Sequence, residues 1–169
     1  MIIGSASDLS TNQKIVENFA LLTADFFELT FCHELRSLPH FSPELSINNT
    51  PQPIMDFRFN IERSDGVLIC TPEYVFSIPS GLKNAIEWCV STTVFSDKPL
   101  GIITASADGQ KGHEELQMIM KTLMALFIEE TTLLIQGIKG KINEAGEVTD
   151  IKTKEALQKF AASFKSLIN

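Results

Sequence analysis

Apolar residues fall along this chain in two patterns, short continuous runs and longer stretches with helical spacing. The short runs are rich in β-branched and aromatic residues and predict five β-strands, at residues 1–3, 26–32, 67–70, 100–104 and 131–136. The stretches between them repeat an apolar residue every three or four positions, as one face of an α-helix does. This alternation predicts an α/β fold in which a parallel sheet is covered by helices on both faces.

Three helical stripes predict core contacts. They consist of Ile15, Val16, Phe19 and Leu22; of Leu116, Ile119, Met120, Leu123 and Phe127; and of Leu157, Phe160, Phe164 and Leu167. We interpret them as packing surfaces rather than partner surfaces, because a helix in such an alternation must bury one face. Residues 37–53 contain four prolines and predict a long loop without helix or strand.

Length and charge restrict the class of protein. At 169 residues the chain predicts a single domain, residues 1–169. A net charge of −7 argues against nucleic acid as a partner, because binding to phosphates depends on clustered Lys and Arg. The start of the sequence lacks the features of a signal peptide, and no apolar run is long enough to cross a bilayer. We therefore expect a cytoplasmic protein without a membrane partner.

Cysteine and histidine give no sign of a metal or disulfide site. The three cysteines are far apart within apolar stretches, which predicts buried free thiols at Cys32, Cys70 and Cys89. The three histidines have no metal-ligand spacing with each other or with cysteine, so solvated or loop positions are expected for His33, His40 and His113. No metal is predicted.

Open α/β sheets bind ligands outside the carboxyl ends of their strands. That rule selects three segments, here called the first loop (residues 4–12), the second loop (residues 71–79) and the third loop (residues 106–112). The first loop carries small hydroxyl residues and leads into a helix start, where unpaired N–H groups and the helix dipole suit a phosphate. Ser10 or Asn12 is equally well explained as a helix cap.

The second loop is stiffened by proline. Pro72 fixes its own backbone, so the neighbouring peptide groups are held in place. With the aromatic Tyr74, this loop is a suitable bed for a flat heterocycle, although an ordinary strand-to-helix connection fits the spacing equally well. In the third loop, Gly109 and Gly112 permit close approach of the backbone to a ring.

The second loop and the helix after it resemble a known family. Thr-Pro-Glu-Tyr at residues 71–74, Ser-Ile-Pro at 77–79 and Leu-Lys-Asn-Ala-Ile-Glu-Trp at 82–88 are similar to the signature of the NADPH-dependent FMN reductase family. The first loop and the Leu-Pro-His-Phe segment at 38–41 resemble that family's corresponding segments in the same order. The resemblance implies a flavodoxin-like three-layer sandwich with a five-stranded parallel sheet of order 2-1-3-4-5. It also implies non-covalently bound FMN and a homodimer or homotetramer.

The resemblance assigns roles to residues of all three loops. In the first loop, Gly4 belongs to the phosphate-binding segment, and the FMN phosphate would be held by Ser5, Ser10, Thr11 and Asn12. In the second loop, the isoalloxazine would be lined by Pro72, Glu73 and Tyr74, followed by Val75 and Phe76. In the third loop, Ser106, Asp108, Gly109 and Gly112 would lie near the far edge of the flavin. No catalytic side chain is expected, because the flavin carries the chemistry.

Two positions depart from the family pattern. Ser7 stands where the family usually has an arginine, which removes a cation that pairs well with phosphate and makes NADH a more plausible donor than the family name suggests. Val75 and Phe76 replace a polar pair that usually contains asparagine. An apolar pair there would alter which acceptors fit, or would be buried at a subunit interface.

The expected function is that of an FMN-dependent NAD(P)H oxidoreductase with two half-reactions. NADH or NADPH reduces the flavin and leaves, and a small acceptor then takes the electrons. The candidate acceptors are a flavin, a quinone, an azo compound or a metal oxyanion. The main alternative is a non-enzymatic flavin-binding or electron-transfer module of the same fold, and a third possibility is the same fold without flavin.

Overall fold

The computed structural model describes residues 1–7, 10–32 and 35–169. At its centre is a parallel sheet of four strands in the order β1-β2-β3-β4. The strands are β1 (Ile2–Ile3), β2 (Val67–Thr71), β3 (Leu100–Ser106) and β4 (Thr132–Gln136). Register pairs such as Ile3 with Cys70 and Thr71 with Thr104 bring the carboxyl ends of neighbouring strands to one edge of the sheet.

The described residues form six α-helices, of which five lie between strands and the last follows β4. They are α1 (Thr11–Leu22), α2 (Pro43–Ile47), α3 (Gln52–Glu62), α4 (Ser80–Glu87), α5 (Gln110–Thr122) and α6 (Ile151–Ile168). Short 3₁₀ turns occur at Leu35–Ser37, Glu129–Thr131 and Ile138–Gly140. Among the described residues, no helix is both long and apolar enough to cross a membrane.

The strands alternate their side chains between two hydrophobic cores. Ile69 and Ile102 belong to the core that contains residues of α3, α4 and α5. Leu68 and Ile103, one position away, belong to the core that contains residues of α1 and α6. Both faces of the sheet are therefore covered by helices. The predicted three-layer α/β fold is confirmed.

The predicted strand at residues 26–32 is wrong, so the sheet has four strands rather than five. The backbone N–H groups of Phe26 and Phe27 both donate to the carbonyl oxygen of Thr23, which extends the turn after α1. The Phe27 ring then packs against Phe19 and Phe164, with centroid distances of 6.3 and 5.7 Å. These aromatic contacts hold the segment in an irregular path. Only its end pairs with the sheet, as a parallel bridge between Cys32 and Ile2 on the side of β1 where order 2-1-3-4-5 places it.

The long loop predicted at residues 37–53 is also partly wrong, because α2 lies within it and α3 begins before it ends. Three of its four prolines, Pro43, Pro51 and Pro53, lie at helix starts instead of breaking helices. Pro43 is the first residue of α2, and the Ser42 hydroxyl caps this helix by accepting from the Leu45 N–H at 3.3 Å. Arg58 of α3 then fixes α2 by donating to the carbonyl oxygen of Ser46.

The predicted helical stripes and thiols are confirmed in the main. The residues of the three stripes that lie at the centre of their helices are fully buried or nearly so; they are Ile15, Val16, Phe19, Leu116, Met120, Leu157, Phe160 and Phe164. Leu22, at the end of α1, is 38% exposed. The second stripe was predicted too long, because α5 ends at Thr122 and leaves Leu123 and Phe127 outside the helix. None of the three cysteines forms a disulfide within the described residues, and Cys32 is only half-buried, contrary to the prediction. Burial raises the pKa of the Cys70 and Cys89 thiols.

Candidate functional site

The first and second loops meet at the carboxyl edge of the sheet. The Gly4 N–H donates to the Cys70 carbonyl oxygen at 2.8 Å, which continues the pairing of β1 with β2 by one residue. Beyond it, the hydroxyl oxygens of Ser5 and Tyr74 lie 3.4 Å apart. A Cβ atom at Gly4 would lie 2.5 Å from the Thr71 hydroxyl, so the two loops approach this closely because residue 4 is glycine.

Ser10 is the N-cap of α1. Its backbone is extended, and its hydroxyl accepts from the Asn12 N–H at 3.2 Å. The cap interpretation of Ser10 is therefore confirmed. A serine hydroxyl that accepts one hydrogen bond still carries a donor, so capping is compatible with binding an anion. The first loop also contains Asp8 and Leu9, which lie outside the described residues.

Asn12 is buried, with 3% of its surface exposed. Its side-chain N–H donates to the Ala105 carbonyl oxygen at 3.1 Å, and its side-chain oxygen lies 3.4 Å from the Cys70 sulfur. These contacts join the start of α1 to β2 and β3. Because these contacts use the Asn12 side chain inside the protein, that side chain does not face the site where it was predicted to contact a phosphate. Ser5 and Thr11 are partly exposed at the site.

The second loop ends in a tight two-residue turn, here called the 74–77 turn. Tyr74 and Ser77 exchange backbone hydrogen bonds of 2.9 and 3.1 Å. Both residues at its tip have left-handed backbones, with φ of 52° at Val75 and 59° at Phe76. That geometry is a type I′ turn, which favours asparagine and glycine and is strained for valine. The apolar tip is nevertheless open, with Val75 93% and Phe76 74% exposed.

Two glutamates join the second loop to α5. The Glu73 carboxylate accepts from the Gly112 N–H in the first turn of α5, at 2.8 Å. In the opposite direction, the Glu115 carboxylate accepts from the Ser77 hydroxyl at 2.7 Å and from the Ile78 N–H at 3.0 Å. Glu73 was predicted to line the flavin ring, and its contact here is with the helix. Glu115 was not predicted from the sequence, although it stands one helical turn after Gly112.

The third loop is shaped by its glycines. Gly109 caps α5 with a left-handed backbone, φ 92°, and a Cβ atom there would lie 3.0 to 3.2 Å from Leu134, Ser106 and Thr104. The exposed Asp108 carboxylate accepts from the Gln136 side chain at 2.6 Å, which links this loop to the end of β4. The structure thus places the predicted residues of the third loop at the same edge as the other two loops.

His113 is a buried residue of α5, so the prediction of a solvated or loop position is wrong for it. It is on α5, is 7% exposed, and its Nδ1 lies 2.8 Å from the Thr104 hydroxyl. Burial lowers the pKa of His113, and the nearby Glu114 charge opposes that effect. The pair fixes α5 to the end of β3. Of the other histidines, His40 is exposed and His33 lies outside the described residues.

The helix after the second loop binds the segment at residues 38–41. The Asn84 side chain donates to the Pro39 carbonyl oxygen at 3.0 Å and accepts from the Phe41 N–H at 2.8 Å. The Trp88 indole N–H donates to the same Pro39 oxygen at 2.8 Å, and the Phe41 ring packs edge-on against the indole at 5.4 Å. The asparagine and tryptophan of the 82–88 motif are therefore structural.

Two cavities lie on the opposite side of β1 from β2, away from this edge. One of about 440 Å³ opens beside β1, between α3 and the segment before residue 33, and its lining includes Ile2, Cys32, Leu38 and Phe57. The candidate site is instead an open surface formed by three loops. Among the described residues, no group of three or more His, Cys, Asp or Glu side chains is arranged to hold a metal ion.

Comparison with known proteins identifies the family. The family model described as NADPH-dependent FMN reductase matches residues 1–139. An NADH:(hydroxy)cinnamate reductase subunit CrdA of Vibrio ruber is 30% identical over 155 residues, 88% of this chain and 76% of the relative. An NADPH:quinone oxidoreductase of Arabidopsis thaliana is 30% identical over 139 residues, 79% of this chain and 71% of the relative.

Solved structures agree. The flavoenzyme NAD(P)H:(acceptor) oxidoreductase FerB of Paracoccus denitrificans superposes with a TM-score of 0.86 at 28% identity, covering 99% of this chain and 94% of FerB. The expected flavodoxin-like fold, the use of FMN and NAD(P)H, and the oxidoreductase activity are confirmed by these matches. The chain belongs to the NADPH-dependent FMN reductase family.

Proposed function

We propose that this chain holds FMN across the three loops and uses it to pass electrons from NADH, in preference to NADPH, to a small apolar acceptor such as a quinone. The observation that carries the proposal is the meeting of the first and second loops, with Ser5 and Tyr74 hydroxyls 3.4 Å apart beside the capped start of α1. Phosphate donors and a rigid aromatic surface then lie on one edge, as a flavin mononucleotide requires.

The phosphate end of the site fits its ligand by the chemistry of its donors. Ser5, Ser10 and Thr11 supply hydroxyl groups, and the start of α1 supplies the positive end of a helix dipole. Since the chain as a whole is acidic, such local donors are needed to bind a phosphate. Asn12 would act beneath them by fixing α1 to Ala105.

The ring end of the site fits a flat heterocycle. Pro72 is buried and rigid, and Gly109 and Gly112 let the third loop and α5 pack closely on their neighbours, Thr104 and Ser106 for Gly109 and Glu73 for Gly112. Bound FMN supplies the redox chemistry, accepting electrons from the nicotinamide and passing them to the acceptor. The residues of this chain would hold the ring, orient it and leave one side open to substrates.

The preference for NADH follows from charge. NADPH differs from NADH by a 2′-phosphate, which proteins commonly bind through arginine. Ser7 supplies no such cation. Lys111, at the start of α5, is already paired with Glu114 at 3.0 Å, and its pKa is raised by Glu114 first and then by Asp108 and Glu73. The 2′-phosphate of NADPH would therefore meet little positive charge at this edge of the sheet.

The proposed class of acceptor rests on the apolar tip of the 74–77 turn. Val75 and Phe76 expose 93% and 74% of their surface beside the site, and an apolar acceptor would bury part of that area. The names of the Arabidopsis and other relatives include quinone reductases, which reduce such molecules. We further propose a single FMN-binding domain that works in the cytoplasm as a homodimer or homotetramer, as the family resemblance implies.

The test is spectroscopic. The purified protein, or the apoprotein reconstituted with FMN, should be yellow, and anaerobic addition of NADH should bleach the flavin absorbance faster than the same concentration of NADPH. A quinone added afterwards should restore the colour. Colourless protein that does not bind added FMN would overturn the proposed function. Yellow protein that neither nucleotide bleaches would indicate an electron-transfer module instead, and faster bleaching by NADPH would overturn the donor preference.

A further inference from the structure

The second loop is tied to α5 through one carboxylate oxygen of Glu115. This oxygen accepts two hydrogen bonds, from the Ser77 hydroxyl at 2.7 Å and from the Ile78 N–H at 3.0 Å. Hydrogen bonds to an ionised carboxylate are about twice as strong as those between neutral groups. Glu115 is half-buried, so these bonds are shielded from water on the helix side. They fix the point where the chain leaves the 74–77 turn.

Glu73 fixes the point where the chain enters that turn. Its carboxylate accepts from the Gly112 N–H at 2.8 Å. Gly112 is the third residue of α5, so its N–H has no partner within the helix, and a negative charge is favourable at this end of the dipole. The loop and the helix are thus joined in both directions. Glu73 of the loop binds a backbone N–H of α5, and Glu115 of α5 binds a backbone N–H of the loop.

The turn between these two contacts needs external support. Val75 and Phe76 both have positive φ, 52° and 59°, and a left-handed backbone costs an L-residue roughly 1–2 kcal/mol. Strained backbone of this kind persists only where the surrounding structure determines it. The support comes from the backbone bonds between Tyr74 and Ser77 and from the two glutamates outside them.

From these contacts we infer that Glu115, together with Glu73, is a positioning residue of the FMN site. Glu115 holds the strained 74–77 turn on α5 and thereby keeps the Tyr74 hydroxyl opposite Ser5, without itself touching the flavin. The inference rests on the proposed function, because it assumes that FMN lies against the second loop. It adds two residues whose contribution is to restrict the loop to one conformation before the cofactor binds.

The neighbouring Glu114 provides a matched control. It has the same charge and the same helix, but it is exposed and accepts from the Gln110 side chain at 2.7 Å and the Lys111 side chain at 3.0 Å, both on α5. Replacing Glu114 changes the net charge as replacing Glu115 does, and it leaves the second loop untouched. A difference between the two variants therefore reports the contact and not the charge.

The experiment measures FMN affinity of the apoprotein by fluorescence titration, and kcat and KM for NADH at saturating FMN. Glu115→Ala should weaken FMN binding about tenfold and lower kcat, while KM for NADH changes little. Glu115→Gln keeps an acceptor oxygen and should recover most of both. Glu114→Ala should match the wild-type protein in FMN affinity and in kcat and KM for NADH, which lacks the 2′-phosphate that the freed Lys111 would attract. Hydrogen exchange should show the Ile78 amide exposed in Glu115→Ala alone.

The outcomes separate this inference from the proposed function. If wild-type apoprotein binds no FMN, the proposed function is wrong and the inference falls with it. If wild-type protein binds FMN and Glu115→Ala binds it equally well with unchanged kcat, only the inference is wrong. An equal loss in Glu114→Ala would also overturn it. Should Glu115→Ala fail to fold, Ser77→Ala removes one of the same hydrogen bonds and should weaken FMN binding in the same direction.

Discussion

The first and second loops face each other at the carboxyl edge and are held by different kinds of contact. The ends of the first loop are fixed to the sheet, by the Gly4 N–H on the Cys70 carbonyl oxygen and by the Asn12 side chain on the Ala105 carbonyl oxygen. Between these ends, the Ser7 N–H donates locally to the Ser5 hydroxyl at 3.2 Å. The second loop is held from outside, by Glu115 and through Glu73, across 37 to 39 positions of sequence. One loop presents polar groups, and the other is fixed as a rigid apolar surface.

The difference matches the two ends of the ligand proposed for this edge. A phosphate is recognised by donors that point toward it, so a loop of small hydroxyl residues before a helix suffices. A flat ring makes few directional bonds, and a mobile loop would lose conformational entropy on binding it. External support of the second loop removes that loss in advance. A variant that changes a feature of only one loop should therefore affect only one end of the ligand.

The largest effect is expected from a charge placed in the first loop. Ser10→Asp should keep the cap of α1, because aspartate caps helices as well as serine does. It should nevertheless lower FMN affinity at least tenfold, since two unit charges 4 Å apart near a protein surface repel by about 4 kcal/mol. Equilibrium titration of the apoprotein with FMN measures the change, and the melting temperature reports whether the cap is intact.

Ser10→Asn is the matched control for that charge. Asparagine has the shape of aspartate and is as good a cap, so any effect of size appears in both variants. We expect Ser10→Asn to bind FMN much more tightly than Ser10→Asp. Equal affinities in the two variants would place the phosphate away from the start of α1 and would remove the assignment of the first loop.

The fold was largely predictable because each strand carries its own signal. Leu68, Ile69, Ile102 and Ile103 are apolar on both faces, as a central parallel strand must be, and the predicted bounds differ from the observed ones by two residues or fewer. The segment at 26–32 has the same composition, yet its phenylalanines pack on Phe19 and Phe164. Periodicity along the chain holds no information about which distant side chain an aromatic ring meets.

The site was predictable only as far as the position of its loops. The rule on carboxyl ends places the three loops together, and Ser5 does lie beside Tyr74. The contacts that support them were not predictable, because Glu115 is separated from Ser77 by 38 positions and His113 was indistinguishable from an exposed histidine. A weak signal existed in the helical spacing, which places both Gly112 and Glu115 on one face of α5.

A smaller effect concerns the pH dependence of α5, on which the second loop rests. Burial lowers the pKa of His113 in the folded protein below its ordinary value of 6.5. Well above pH 6.5 the imidazole is neutral in both the folded and the unfolded chain, so its titration does not lower the stability there. As the pH falls below 6.5, the unfolded chain takes up a proton first, and the free energy of unfolding falls until the folded pKa is reached. The slope contributed by one proton is at most about 1.4 kcal/mol per pH unit.

Denaturant unfolding at several pH values between 7 and 5 measures that slope. His113→Gln keeps a polar partner for the Thr104 hydroxyl and has no titrating group, so it should lose stability less steeply over this range. Carboxyl groups whose pKa is lowered, such as that of Asp150, which accepts hydrogen bonds from Thr153, change the stability only at pH values below this range. Parallel curves for the wild-type protein and His113→Gln would contradict a neutral buried histidine.

The smallest effect is a gain in stability at the tip of the second loop. Val75 has a φ of 52°, which asparagine adopts more readily than valine, so Val75→Asn should raise the free energy of unfolding by about 1 kcal/mol. Val90→Asn is the control, because Val90 is also exposed, at 62%, without a left-handed backbone. It should give no gain. If Val75 contacts an apolar acceptor, Val75→Asn will have a lower kcat/KM for a quinone. An unchanged kcat/KM would show that the strained backbone at this tip has no role in catalysis.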